Sequence, residues 1–437
     1  NSLVNTTTLT AALTTSFSAK FFNELRFQYS RDREPGEANT ANVEAVITTP
    51  DGGFNIGRNN FSPRETTITR VQVIDNQTYI LGQHTLKYGV DLLSDRVFNF
   101  FPGLFSGSYS FSSYANFAAN TPVSYRQSFA GAGTTGGTTQ PNSFETAFFF
   151  QDDWRVNQKV TLNLGIRYDY QAIAKPQIQN PNAALLAAGF DTSFQPKDKN
   201  NLAPRFGIGY AIDEKTVIRG GYGIYYARTP SILTGTAHSQ NGIQVIGISI
   251  NCSVATPCPT FPNTLAAVPA VGLAPINLFL FSRNYQQPFV HQGRISFERE
   301  IMSNLTLSVA YTVYKGDDLT RTRDANFAAP AARPFTEAAT NTTLNFDRFV
   351  NPRLIAGFNR INLFESTAES FYQGFSIEAK RRFANKFSFI AAYTYSNAKD
   401  DKPDQTAVVA GVDDAKIGQN QFAVGTEYGR SDLDLKH

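Results

Sequence analysis

At 437 residues the chain carries 39 Lys+Arg against 36 Asp+Glu, a net charge of only +3, with no basic run or basic–aromatic platform to support nucleic-acid binding. No stretch approaches about 18 uninterrupted apolar residues, which excludes a transmembrane helix. A slightly polar mean hydropathy of −0.27 still allows a membrane β-barrel, whose strands give half their residues to a polar interior.

In chain order, alternation of apolar and polar residues marks paired strands, because successive side chains of a pleated strand point to opposite faces. Segments 6–17 and 21–31 meet at Ser18-Ala19-Lys20, and Phe21, Leu25, Phe27 and Tyr29 oppose Glu24, Arg26 and Gln28. Segments 67–80 and 84–100 meet at Leu81-Gly82-Gln83. The hairpin 144–170 turns at Asn157-Gln158-Lys159 and shows the pattern most clearly. Leu162, Leu164, Ile166, Tyr168 and Tyr170 lie on one face, and Thr161, Asn163, Gly165, Arg167 and Asp169 on the other. This strand exceeds the usual length of about 5–6 residues and suits the roughly 9–11 needed to cross a bilayer at a tilt. Trp154, the single tryptophan, lies beside the turn with Asp152 and Asp153, where an aromatic ring is expected at the membrane interface. Three more pairs follow: 202–212 with 216–228, 288–301 with 305–315, and 367–383 with 387–399. They turn at Asp213-Glu214-Lys215, Met302-Ser303-Asn304 and Ala384-Asn385-Lys386.

The pairs are separated by long polar connections at 32–66, 101–141, 174–201, 229–287, 316–366 and 400–427. Soluble domains rarely hold so many long loops. Outer-membrane barrels do, with short turns on the periplasmic side and long loops outside. The expected fold is all-β: an antiparallel up-and-down transmembrane barrel, with 1–437 forming part of one barrel domain. About twelve strands, with the start of another at 427–437, leave open edges that hydrocarbon does not tolerate. The natural chain is therefore expected to continue past His437. Asn1 opens without a targeting segment, so both ends read as cut.

The charged residues on the polar rows are Arg26, Lys87, Asp91, Arg167, Asp169, Arg205, Arg219, Arg294, Glu298, Glu378, Lys380 and Arg382. An Arg or Lys facing lipid at the midplane costs about 2–4 kcal/mol, so all twelve are expected to face the lumen. There they either pair across strands and brace whatever fills the barrel, or line a solute path. The aromatic stretch 98–129, with Tyr109, Phe111, Tyr114, Phe117 and Tyr125, is expected to fold over the barrel mouth, ligand contact being the other use. Cys252 and Cys258 lie in a Pro/Thr/Ser-rich loop. In an oxidising compartment they form a small disulfide loop; in a reducing one they are incidental thiols.

Catalytic chemistry finds little support. Gly131-Ala132-Gly133-Thr134-Thr135-Gly136 has dinucleotide-like glycine spacing, but no helical pattern follows it. His84, His238, His291 and His437 are scattered without metal-ligand spacing, and no GxSxG elbow occurs. Asp317-Asp318, Asp400-Asp401 and Asp413-Asp414 read as solvated loop acids. No enzyme activity, metal or cofactor is expected.

The strings FFFQDDWRVNQKVTLNLGIRYDY, LAPRFGIGYAIDEKTVIRGGYGIYY and QPFVHQGRISFEREIMSNLTLSVAYTVYKG resemble barrel strands of TonB-dependent outer-membrane receptors, nearest to the Oar-like branch. FYQGFSIEAKRRFANKFSFIAAYTYSNAKDD and EYGRSDLDLKH resemble its later strands, so the likeness runs from about Phe17 to the end. It implies a barrel of about 22 strands, of which this chain supplies about 12–14. The barrel would sit in the outer membrane of a Gram-negative bacterium. The likeness further implies an N-terminal plug, a TonB box and a carboxypeptidase-regulatory-like β-sandwich, none of them within this sequence. The implied partners are outer-membrane lipid, the protein's own plug domain and, through it, TonB, together with an unidentified solute. Two other readings stay open: a passive channel or barrel-anchored adhesin, and a soluble secreted β-rich protein.

Overall fold

The structure, a computed structural model, describes residues 3–269, 275–348, 353–384, 386–401, 418 and 420–436. Twelve long strands form one antiparallel meander in which each pairs with the next along the chain. They are β1 (Asn5–Ser18), β2 (Phe21–Gly36), β3 (Arg64–Leu81), β4 (His84–Phe100), β5 (Ser143–Arg155), β6 (Val160–Ile173), β7 (Leu202–Asp213), β8 (Thr216–Tyr226), β9 (Phe289–Met302), β10 (Leu305–Asp324), β11 (Phe358–Ala384) and β12 (Phe387–Asp400). Ala19-Lys20, Gly82-Gln83, Glu214-Lys215 and Ser303-Asn304 are two-residue turns. Gly82 and Asn304 take positive φ there, 61° and 69°, a conformation that glycine and asparagine adopt at least cost. Asn385, in the last expected turn, lies outside the described residues, as do Asp413, Asp414 and His437.

Register assigns the two faces. Ile166 stands opposite Phe150, which stands opposite Tyr88; one step along, Arg167 stands opposite Phe149 and then Gly89. Leu162, Leu164 and Ile166 therefore point away from Arg167 and Asp169. The apolar side continues as a cross-strand row through Leu162, Ile208, Ile295, Tyr311, Phe375 and Tyr395, with Gly220 between the second and third. Ile295 is 56 % and Tyr395 51 % exposed, whereas the Arg167 and Asp169 side chains on the other face keep 26 % and 27 %. A curved sheet crowds its concave side, so the polar face is the inner one.

Three features depart from the sequence reading. β10 and β11 reach 20 and 27 residues, well past the expected ends at 315 and 367. Their outer halves are held by new partners: Ile276–Phe281 adds to β11 in parallel, and buried Leu278, Ile361 and Phe364 pack where they meet. The long loops also carry structure of their own. Val245–Asn251, Ser124–Ala130, Ser108–Phe111, Glu44–Thr49 and Gly52–Ile56 form a separate five-stranded sheet at the end away from the tight turns. Finally, the strand expected at 427–437 is only Gly429–Arg430, paired with Lys399 and Asp400 after a single turn of 3-10 helix, Val424–Glu427. β1 and β12 do not pair with each other among the described residues, so the sheet is an open trough. Among those residues no helix is long and apolar enough to cross a membrane.

Candidate functional site

By register, eleven of the twelve charged residues named from the sequence lie on the concave face; Arg382 falls where the pairing of β11 becomes irregular. The structure sorts them into groups. Arg26 pairs with its strand neighbour Glu24 at 2.7 Å. Lys87 reaches across to Asp153 at 2.9 Å, and Arg219 lies 3.6 Å from Glu298. Arg167 donates to Asp169 at 2.9 Å and stands 3.7 Å from Asp91. Arg205 stacks over the Tyr225 ring, 4.3 Å from its centroid. Glu378 and Lys380 follow one another along the inner row of β11, away from the Asp91 group.

The densest assembly surrounds Asp91 near the outer ends of β3 to β6. Arg70 grips Asp95 with two hydrogen bonds, 2.8 and 2.7 Å, a bidentate geometry that fixes both side chains. Arg228 bridges Glu145 at 3.2 Å and Asp95 at 3.7 Å, while Gln72 donates to Asp91 at 2.8 Å. Above them a ladder of buried amides ties three loops to the wall. Asn201 donates to Gln287, Gln287 to Gln171, and Gln171 to the Thr229 carbonyl, at 2.7, 2.9 and 3.2 Å. Between ladder and network lies a small cleft of about 60 Å³. Sequence reading missed Arg70, Asp95, Glu145 and Arg228. Arg70 and Gln72 do alternate with the outer Val71 and Val73, so parity alone could have found them.

Trp154 lies on the apolar row beside the tight turn and stacks on His84, with ring centroids 5.1 Å apart and planes 16° from parallel. The two neighbouring carboxylates diverge. Asp153 points inward, whereas Asp152 shares the Trp154 face and sits 2.7 Å from His84 Nδ1. Cys252 and Cys258 are joined by a disulfide at the edge of the loop sheet. Tyr109, Phe111 and Tyr125 are 0–1 % exposed in that sheet's core, so these rings fill the cap and are closed to a ligand; Tyr114 stays exposed against Phe54. Two acid pairs read as solvated loop acids are held in ion pairs instead. Asp317 sits within β10, 2.7 Å from Lys315, and Asp401 is buried against Arg321. Among the described residues no cluster of His, Cys, Asp and Glu is arranged to hold a metal ion.

Across residues 1–437 the chain matches the family model described as an outer membrane beta barrel domain. The chain belongs to that family. This outer-membrane barrel therefore sits in the outer membrane of a Gram-negative bacterium, its apolar rows against lipid and its polar rows within. The TonB-dependent transporter Oar of Myxococcus xanthus is 31% identical to it over 168 residues, covering 34% of this chain and 15% of that protein. Solved structures share the fold at low identity. The outer membrane transporter YddB of Escherichia coli superposes with a TM-score of 0.53 at 13% identity, covering 91% of this chain and 42% of its own. The FrpB iron transporter of Neisseria meningitidis (F5-1 variant) gives 0.52 at 11%, covering 93% and 46%. The pyoverdine receptor FpvA of Pseudomonas aeruginosa PAO1 gives 0.51 at 12%, covering 91% and 45%. The chain thus spans less than half the length of each solved relative and a small part of Oar.

Proposed function

We propose that this barrel forms part of the wall of a TonB-dependent transporter, which takes up a scarce solute through the outer membrane. The observation that carries the reading is the concave face: charged side chains run along it from β2 to β11, beneath external loops that pack into a cap with their own buried cores. A wall that only anchored the chain would need no such interior. In this reading the ion-paired groups around Asp91 and Lys87 brace the plug, and the clefts between them border the path of the solute. The plug moves when TonB pulls on it, and TonB draws on the energised inner membrane. The relationship to Oar, a TonB-dependent transporter by name, supports the energy coupling.

The test is accumulation of a panel of labelled ferric siderophores, oligosaccharides and cobalamin by cells carrying the full-length protein, with and without a protonophore. Accumulation of one member should stop when the proton gradient collapses. Accumulation that continues unchanged identifies a passive channel, and no accumulation of any member counts for an adhesin.

A further inference from the structure

The inner wall is not uniformly neutralised. Across β5 to β9 a second cleft, of about 330 Å³, is lined by Gln151, Asn163, Arg205, Tyr225, Gln292 and Arg294. Register puts each arginine among glycines: Arg205 between Gly165 and Gly223, and Arg294 opposite Gly221, which itself faces Gly207. The bare backbone has a structural use. A Cβ on Gly223 would stand 3.0 Å from the Tyr225 ring and 3.1 Å from Arg205 Cγ, so glycine lets the stacked pair lie flat along the wall.

The charges in this cleft lack partners. Among the described residues, Arg70, Arg167 and Arg228 on the same wall each have a carboxylate within 4.0 Å, but neither Arg205 nor Arg294 has one. Arg205 Nε is buried without any hydrogen-bond partner. Asp153, on this wall, is already engaged by Lys87 at 2.9 Å, Gln151 at 2.8 Å and Asn163 at 2.6 Å. Arg205 is half-buried beneath its stack on Tyr225 and Arg294 opens to the interior, so an anion entering the cleft meets two guanidinium groups with no carboxylate beside them. Their planar forks match the oxygen pairs of carboxylates and phosphates.

We propose that this cleft is an oxyanion seat that takes a carboxylate or phosphate group of the transported solute. Arg205 and Arg294 supply paired N–H donors, and Tyr225 holds the Arg205 guanidinium in place by stacking. The proposal rests on the transport reading for the origin of the anion, but its test does not need transport.

Citrate and inorganic phosphate are titrated separately into the full-length protein in detergent by calorimetry, at low and high salt. Binding of citrate alone assigns the seat to carboxylates, and binding of phosphate alone to phosphates. Arg205→Gln and Arg294→Gln should each weaken binding about tenfold or more, as expected for loss of a charge-assisted hydrogen bond. Arg26→Gln, which alters an arginine already paired on β2, should leave it unchanged. Heat-modifiable migration of each variant checks that the barrel has folded. The proposal fails if neither anion binds, if the Arg205 and Arg294 variants bind like the parent, or if Arg26→Gln weakens binding equally, the mark of diffuse attraction. Such a failure would leave energised uptake standing, and loss of energised uptake would leave the binding measurement intact.

Discussion

His238 shows how one side chain reports on the external cap. It lies on the helix Ser231–Ser239, buried, with Nε2 3.2 Å from the Ala174 carbonyl. Burial pushes its imidazole down to about 4, and the bond to Ala174 opposes this only in part. The unfolded ring titrates near about 6.5, so between these values the unfolded segment takes up a proton that the folded one refuses. Its contribution to stability is complete above that range and is lost as pH falls from about 6.5 towards 4. Protection factors of residues 231–239, which correct exchange for its own pH dependence, should fall over that window, and His238→Gln should flatten the response; an unaltered profile in the variant would contradict the assignment. A second residue-scale prediction concerns Arg321 and Asp401, 2.6 Å apart with side chains 4 % and 7 % exposed. Arg321→Ala strands a buried carboxylate and should cost about 3–5 kcal/mol in urea unfolding in detergent, whereas a surface pair would cost less than about 1 kcal/mol. Neither residue's burial was legible in the sequence. Asp401 reads as a loop acid because its partner Arg321 lies in the extension of β10, 316–324, which follows no strict alternation.

At the level of the strand, most of the wall was legible because a period of two needs only a local window. Strand starts at Phe21, His84, Leu202, Thr216, Leu305 and Phe387 coincide with the expected ones. One exception, deeper in the wall than Asp152, is Asp75. It lies on the apolar row of β3, opposite Leu25 and Val90 and four residues beyond Tyr79, about 13 Å along the strand. The polar run Asp75-Asn76-Gln77-Thr78 hides this, since it shows no alternation. The carboxylate is capped by side-chain amides of Asn23 and Gln77, which share its face. Facing hydrocarbon, the carboxylate is costly and the two amides recover part of that cost, while each amide in turn depends on it for a partner. Asp75→Leu by itself should destabilise the barrel by about 1–3 kcal/mol through the orphaned amides. Adding Asn23→Leu and Gln77→Leu should restore the loss or exceed it. Equal loss in the single and triple variants, measured by urea unfolding in detergent, would show that the cluster is not closed on itself.

For the whole molecule, the alternation of tight turns and long loops made the meander legible before any coordinates, because each short connection forces an antiparallel neighbour. The aromatic stretch 98–129 was legible as a cover for the mouth, but the sheet that builds the cap was not. That sheet joins 44–56, 108–130 and 245–251, strands of four to seven residues whose pattern is too short to stand out from the surrounding Ser, Thr and Gly. The division of the wall into an outer and an inner surface is the property on which the fold and the proposed transport both depend, and β10 offers adjacent positions to test it. Val309 lies between Phe297 and Ile377 on the outer face; Ser308 lies between Glu298 and Glu378 on the inner one. An arginine at Val309 must meet lipid and should cost about 2–4 kcal/mol if near the midplane, with reduced assembly into the outer membrane. An arginine at Ser308 meets two carboxylates across a wet interior and should be neutral or slightly stabilising. The two substitutions differ by one residue in sequence and add the same side chain, and the difference in strand propensity between valine and serine, under about 1 kcal/mol, is smaller than the cost of meeting lipid. Heat-modifiable migration and urea midpoints for the two variants should diverge, and equal damage from both would mean that β10 does not separate lipid from lumen.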